Sequence, residues 1–303
     1  MLYRKIIINP GDSFFKDYRN ASTRRNSYQI NIFLFITTLI TTTAVGSVMV
    51  EANPFTGIKG FLMGLPFSIT LLSILGIHEF GHYFAARYWK VHVTLPYFIP
   101  APFPPIGTFG AVIKMKSSIP NRKALIDVGA AGPIAGFIVA VAACIIGLNM
   151  SEIVPPRVSE SIISIPLGES LIFKFLDYII LGPLPENVNV MLHPVAFAGW
   201  LGLFVTALNL IPFGQLDGGH IMFALSPRIH ELLRRIRIPL LLLMGLTFWI
   251  GWYIWALILL FIGRPHPYPD HMDTEIGTFR KIIALISIII FILCIMPVPV
   301  MVE

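Results

Sequence analysis

The chain has 303 residues, 55% of them hydrophobic and 13% charged, with a mean hydropathy of +0.77. That balance excludes a soluble domain of ordinary composition and points to a protein that crosses a bilayer several times. The formal net charge is +6, but the basic residues are spread through the connections between apolar runs, which excludes a folded basic face for nucleic acid.

Residues 1–29 read as a cytoplasmic tail, because they lack the apolar core and cleavage site of a signal peptide. Residues 30–50 are long enough to cross the hydrocarbon and form the first expected span. The second, residues 59–86, carries IHEFGHY and ends at Arg87, Trp89 and Lys90, which suit an interfacial anchor. On a helix, His78 and His82 lie one turn apart on one face, so both imidazoles can close on one metal ion, with Glu79 beside them. That donor pattern suits zinc, with a carboxylate placed to take a proton from water, and so points to peptide hydrolysis. The other reading is a buried, hydrogen-bonded histidine pair. Along the helix axis His82 lies roughly 7 Å and His78 roughly 13 Å from Arg87, below the membrane surface but short of its middle.

Residues 92–120 are rich in proline yet apolar, which excludes a helix and favours a partly re-entrant segment covered by protein or a water-filled cavity. Within it GTFGAVIKMK reads as a short strand or hairpin. The edge formed by Gly107, Thr108, Phe109, Gly110, Ala111, Val112 and Ile113 is the candidate that would hold an extended peptide. Alternatively, this segment is a loop that only covers the helices.

Residues 124–149 form the third expected span, with Asp127 near the helix N-terminus. Gly132 and Gly136 give it the small-x-x-x-small spacing that lets another helix approach. Residues 150–190 read as an acidic exterior loop with one amphipathic stretch at 171–181. The fourth span, residues 190–211, should break at NLIPFGQLDGG, where Pro212 removes a donor and Gly214 loosens the chain, and a short helix should resume at 216–225. The break lets Asp217 turn inward as a third ligand. It also suits Asp217 as a helix N-cap, and the two roles are compatible. His220 is the alternative ligand, and Asn209 suits either an oxyanion contact or an interhelical hydrogen bond.

A basic connection around Arg228, Arg234, Arg235 and Arg237 precedes a fifth span at 238–262. A polar exterior turn follows at 263–275, then a sixth span at 279–296. Cys144 and Cys294 both fall in apolar runs and read as packing residues. Sixteen of the 22 basic residues lie in residues 1–29, 87–123 and 228–237, which places both termini and the histidine pair toward the cytoplasm. The expected fold is therefore an all-α polytopic membrane protein of about six helices, with one membrane-embedded domain over residues 30–300.

Four pieces occur here in the order of the site-2 proteases, which are intramembrane zinc metalloproteases: HEFGH at 78, GTFGAVI at 107, GAAGPIAG at 129 and NLIPFGQLDGG at 209. The chain resembles that family, and most of all its compact prokaryotic type without a PDZ or CBS domain. The resemblance implies one zinc ion held by His78, His82 and Asp217, Glu79 as general base, and Asn209 as a helper at the substrate carbonyl. It also implies a re-entrant loop at 107–113 that engages a transmembrane protein substrate in regulated intramembrane proteolysis, in a prokaryotic plasma membrane. The rival from another class is a divalent-metal transporter using the same His and Asp residues as a relay.

Overall fold

The computed structural model describes residues 11–155, 166–185, 188–262 and 269–301. Helix α1, Gly11–Met49, starts well before the expected first span, and its apolar part is Tyr28–Met49. After the short α2, Ile58–Leu62, helix α3 runs over Leu65–Tyr88 with Pro66 in its first turn, where its missing N–H costs nothing. The proline-rich stretch then gives two strands, β1 at Tyr97–Pro100 and β2 at Thr108–Val112, paired antiparallel with Phe98 opposite Ala111. The pairing continues beyond β2, with Thr94 donating to the Lys114 carbonyl at 3.0 Å and Lys116 to that of His92 at 2.7 Å.

Helix α4, Arg122–Leu148, is capped by Asn121, whose side chain accepts the Ala124 N–H at 2.9 Å. Strand β3, Glu152–Val154, pairs with β4, Asn189–Met191, and between them lies the amphipathic α5, Leu171–Leu181. Helix α6, Pro194–Leu210, ends at the expected break, and α7, Asp217–Leu225, follows it. Helices α8, Pro227–Thr247, α9, Gly251–Ile262, and α10, Thr278–Cys294, complete the described chain.

Helices α3, α4 and α6 share the main core, built from Phe67, Leu71, Ala140, Cys144, Leu203 and their neighbours. Apolar side chains such as Phe84, Ile138, Leu246 and Ile254 face outward, as a bilayer-embedded surface requires. Cys144 and Cys294 are buried and unbridged.

The structure differs from the expected topology in three places. Of the six expected spans, three are helical stretches long and apolar enough to cross a membrane among the described residues, Tyr28–Met49, Ile58–Tyr88 and Arg122–Leu148, and Pro194–Leu210 and Gly251–Leu260 are shorter apolar helices. The expected fifth span is broken at residues 248–250, and α9 folds back on α8 so that the Tyr253 ring lies across Gly245. The turn is itself aromatic, with Trp249 packed over Gly251, so hydropathy passes through it without a dip.

The second correction concerns the turn expected on the exterior. Residues 263–268 lie outside the described residues, but Asp270 and His271 donate to the carbonyls of Ile119 and Pro120 at 3.0 Å each. This puts them at the basic end of the molecule, beside the α4 N-terminus. Arg122 ties the α7 C-terminus to the same end through the Ala224 carbonyl at 2.7 Å.

The third correction concerns the chain ends. Gly168 donates to Pro299 at 2.8 Å and Met301 to Pro166 at 3.0 Å, so the last described residues join the 150–190 region. Asn31 of α1 instead bonds the carbonyls of Leu95 and Pro96 at the basic end. The ends of the described chain thus lie at opposite ends of the helices, because the α8–α9 hairpin folds back on itself before α10.

Candidate metal centre

The HEFGH run falls wholly inside α3, so its spacing is expressed as helix geometry. His78 and His82 present edge-to-face rings with centroids 4.8 Å apart, and their Nε2 atoms are 3.1 Å apart. Asp217 reaches them from α7, its Oδ2 lying 3.3 Å from each Nε2. The α7 N-cap is Leu216, so the Asp217 carboxylate is the first helical residue's side chain and is not spent on capping.

These three donor atoms fit a metal. A tetrahedral ion with ligands at roughly 2.0–2.1 Å has donor-to-donor edges of about 3.3–3.4 Å. The observed edges of 3.1, 3.3 and 3.3 Å are of that size, and His78, His82 and Asp217 form the one such donor group among the described residues.

The orientation of His82 is fixed from behind. Its Nδ1 lies 2.7 Å from the Val128 carbonyl, which can only accept, so Nδ1 carries the proton and Nε2 turns its lone pair to the other two donors. Glu79 is buried beside the pair, and the N–H of Ile113 faces its carboxylate. The Asn209 amide lies 3.3 Å from His78 Nε2, at the end of α6.

All of these open on one cavity of about 960 Å³. Its wall is residues 111–119, so Ala111, Val112 and Ile113 of the expected peptide-binding edge line it. Gly107, Thr108, Phe109 and Gly110 do not. Gly107 accepts from Thr41 of α1 at 2.8 Å, Thr108 is buried and donates to the Ile99 carbonyl at 2.8 Å, and Phe109 is exposed. Gly107 and Thr108 anchor the hairpin, and the lining passes to 114–119.

His220 lines the cavity but stands outside the donor group. The sequence reading missed Val128, whose contribution is a backbone carbonyl with no side-chain signature. It also missed Gln215, which lines the cavity from the turn before Asp217 and was legible only as part of that turn.

Comparison with known proteins follows the same residues. The family described as peptidase family M50 matches residues 66–250. The chain is 34% identical over 250 residues to "Probable zinc metalloprotease EGY1, chloroplastic" of Arabidopsis thaliana, covering 77% of this chain and 43% of that protein. It is 33% identical over 201 residues to "Probable zinc metalloprotease EGY2, chloroplastic" of Oryza sativa subsp. indica, covering 65% of this chain and 36% of that protein. The chain thus spans less than half the length of these curated relatives. No solved structure matches.

Proposed function

The chain belongs to peptidase family M50, and on that premise we propose that it is an intramembrane zinc metalloprotease that hydrolyses peptide bonds of transmembrane proteins. The observation that carries the proposal is the meeting of His78, His82 and Asp217 with Glu79 at the wall of one cavity. The three would hold one zinc ion per chain, which when bound acts as a Lewis acid, polarising a carbonyl and making water acidic near neutral pH.

The chain's own residues do the rest. Glu79 takes the proton from the attacking water and returns it to the leaving amide nitrogen. Asn209 donates its amide N–H to the substrate carbonyl as negative charge builds on the oxygen. A helical substrate shields its backbone, so it must be drawn out into extended form. The re-entrant segment at 92–120 offers the strand edge, and of the stretch 107–113 it is Ala111, Val112 and Ile113 that face the cavity.

We place this single peptidase domain at residues 30–300 of a prokaryotic plasma membrane, behind the tail at 1–29, and assign it to regulated intramembrane proteolysis. The cavity opens at the basic end, which the positive-inside rule makes cytoplasmic. Arg280 and Lys281 at the start of α10 add to that end, since α10 begins beside Asp127. A transporter would need successive donor groups across the bilayer, and among the described residues there is one.

The test is Glu79→Gln in the purified full chain with a membrane-anchored substrate. Zinc content should be retained and cleavage should fall roughly 10²–10⁴-fold. Full cleavage would remove the assigned base.

A further inference from the structure

Helices α3 and α4 touch backbone to backbone beside the donor group. A Cβ on Gly81 would come within 2.9 Å of the Ala131 carbonyl carbon and 3.0 Å of the Gly132 Cα. The imidazoles of α3 therefore stand close against α4. Val128, Gly132 and Gly136 follow one another at intervals of four, so they share one face of that helix. The first gives its carbonyl to His82 Nδ1–H. A Cβ on the second would fall on Nε2, Cδ2 and Cε1 of the His82 ring, and on the third it would come within 3.1 Å of both Cβ and Nδ1 of His78.

We propose that Gly132 is a positioning residue for the metal centre, and that its absent side chain is the space in which His82 presents Nε2. The proposal rests on the reading of His78, His82 and Asp217 as zinc ligands. Gly136 plays the same part more loosely for His78.

The distinction from ordinary helix packing lies in what an added methyl would meet. At Gly147 it would strike the backbone of Ala196, and at Gly199 the backbone N and the sulfur of Cys144, so α4 and α6 would have to separate. At Gly132 the three nearest atoms all belong to the far end of the His82 side chain, which can turn to another rotamer. Turning His82 leaves the helices together, but it withdraws Nε2 from Asp217 and breaks the bond to Val128. Alanine at 132 should thus cost the ion while sparing the fold, and alanine at 147 should cost the fold.

The experiment uses the full chain in detergent as wild type, Gly132→Ala, Gly147→Ala, His82→Ala and the Gly132→Ala/His82→Ala double variant. Zinc affinity is read by equilibrium dialysis, the ligand field by Co²⁺ absorption, and stability by thermal unfolding without metal. Gly132→Ala should bind zinc roughly 10–100-fold more weakly and alter the Co²⁺ spectrum. Its metal-free Tm should fall by about 3 °C, a fall that disappears when His82 is already alanine. Gly147→Ala should lose more Tm than Gly132→Ala, with zinc per folded chain unchanged. Zinc affinity within threefold of wild type in Gly132→Ala, or an equal Tm loss in both His82 backgrounds, would overturn the proposal. A wild-type chain that takes up no zinc would end the metal reading, and the metal-free comparison would still decide whether the ring is seated on Gly132.

Discussion

Arg280 on α10 holds Asp127 on α4 by a single carboxylate oxygen, with Nη2 at 3.0 Å and Nε at 3.2 Å from Oδ2. The same oxygen accepts the indole N–H of Trp89 at 3.0 Å, and the guanidinium stands 5.6 Å over that ring. The C-terminal end of α3, the start of α4 and the start of α10 are thereby fastened at the basic end. Arg280→Ala strands a mostly buried carboxylate and should cost about 2 kcal/mol, with Arg280→Lys restoring only part because it cannot fork and stack at once. Thermal unfolding in detergent checks this, and unchanged stability in both variants would show that the contact carries no weight.

Metal removal should be visible in the fold. Chelation of the wild type should lower its Tm, since an ion present at 100 times its Kd stabilises by about 2.7 kcal/mol. His78→Ala should show no response to chelator. An equal response in both proteins would mean that the ion sits elsewhere.

Gly110 has φ +98° and nothing within reach of a Cβ, so alanine there is strained without clashing. Gly110→Ala should distort β2 at a cost of about 1 kcal/mol and lower cleavage roughly tenfold through the strand, leaving zinc binding intact. Unaltered cleavage would separate this strand from substrate handling.

The opposite placement of the chain ends can be read chemically. Cysteine introduced at Ser117 and at Met301, both exposed, should react with an impermeant maleimide from opposite faces of sealed vesicles. Cys144 and Cys294 are buried and should stay unlabelled. Labelling of both positions from one face would contradict the arrangement of α8, α9 and α10.

What the sequence made legible was local. The four-residue interval between His78 and His82 becomes a shared helix face because α3 is regular there. Pro212 and Gly214 mark the break that leads into α7 within one residue of its expected start, and α5 falls at 171–181 as its amphipathic pattern indicates. The missed features depend on long-range contact. No charge or proline marks the aromatic turn at 248–250, and the pairing of Asp270 and His271 with residues 119–120 joins segments whose composition is that of any polar loop. Of the expected edge at 107–113 only residues 111–113 line the cavity, because the glycines that draw attention in GTFG serve the hairpin while the plainer VIKMKSS faces the cavity.

Two donors ride on α3 and the third on α7, a nine-residue helix joined to α6 by a short turn. On the proposed reading of these residues as zinc ligands, parting those helices by about an ångström would draw Asp217 away from the ion. A substrate would then have to enter without separating this pair, and the ion would serve as a rivet as well as a reagent.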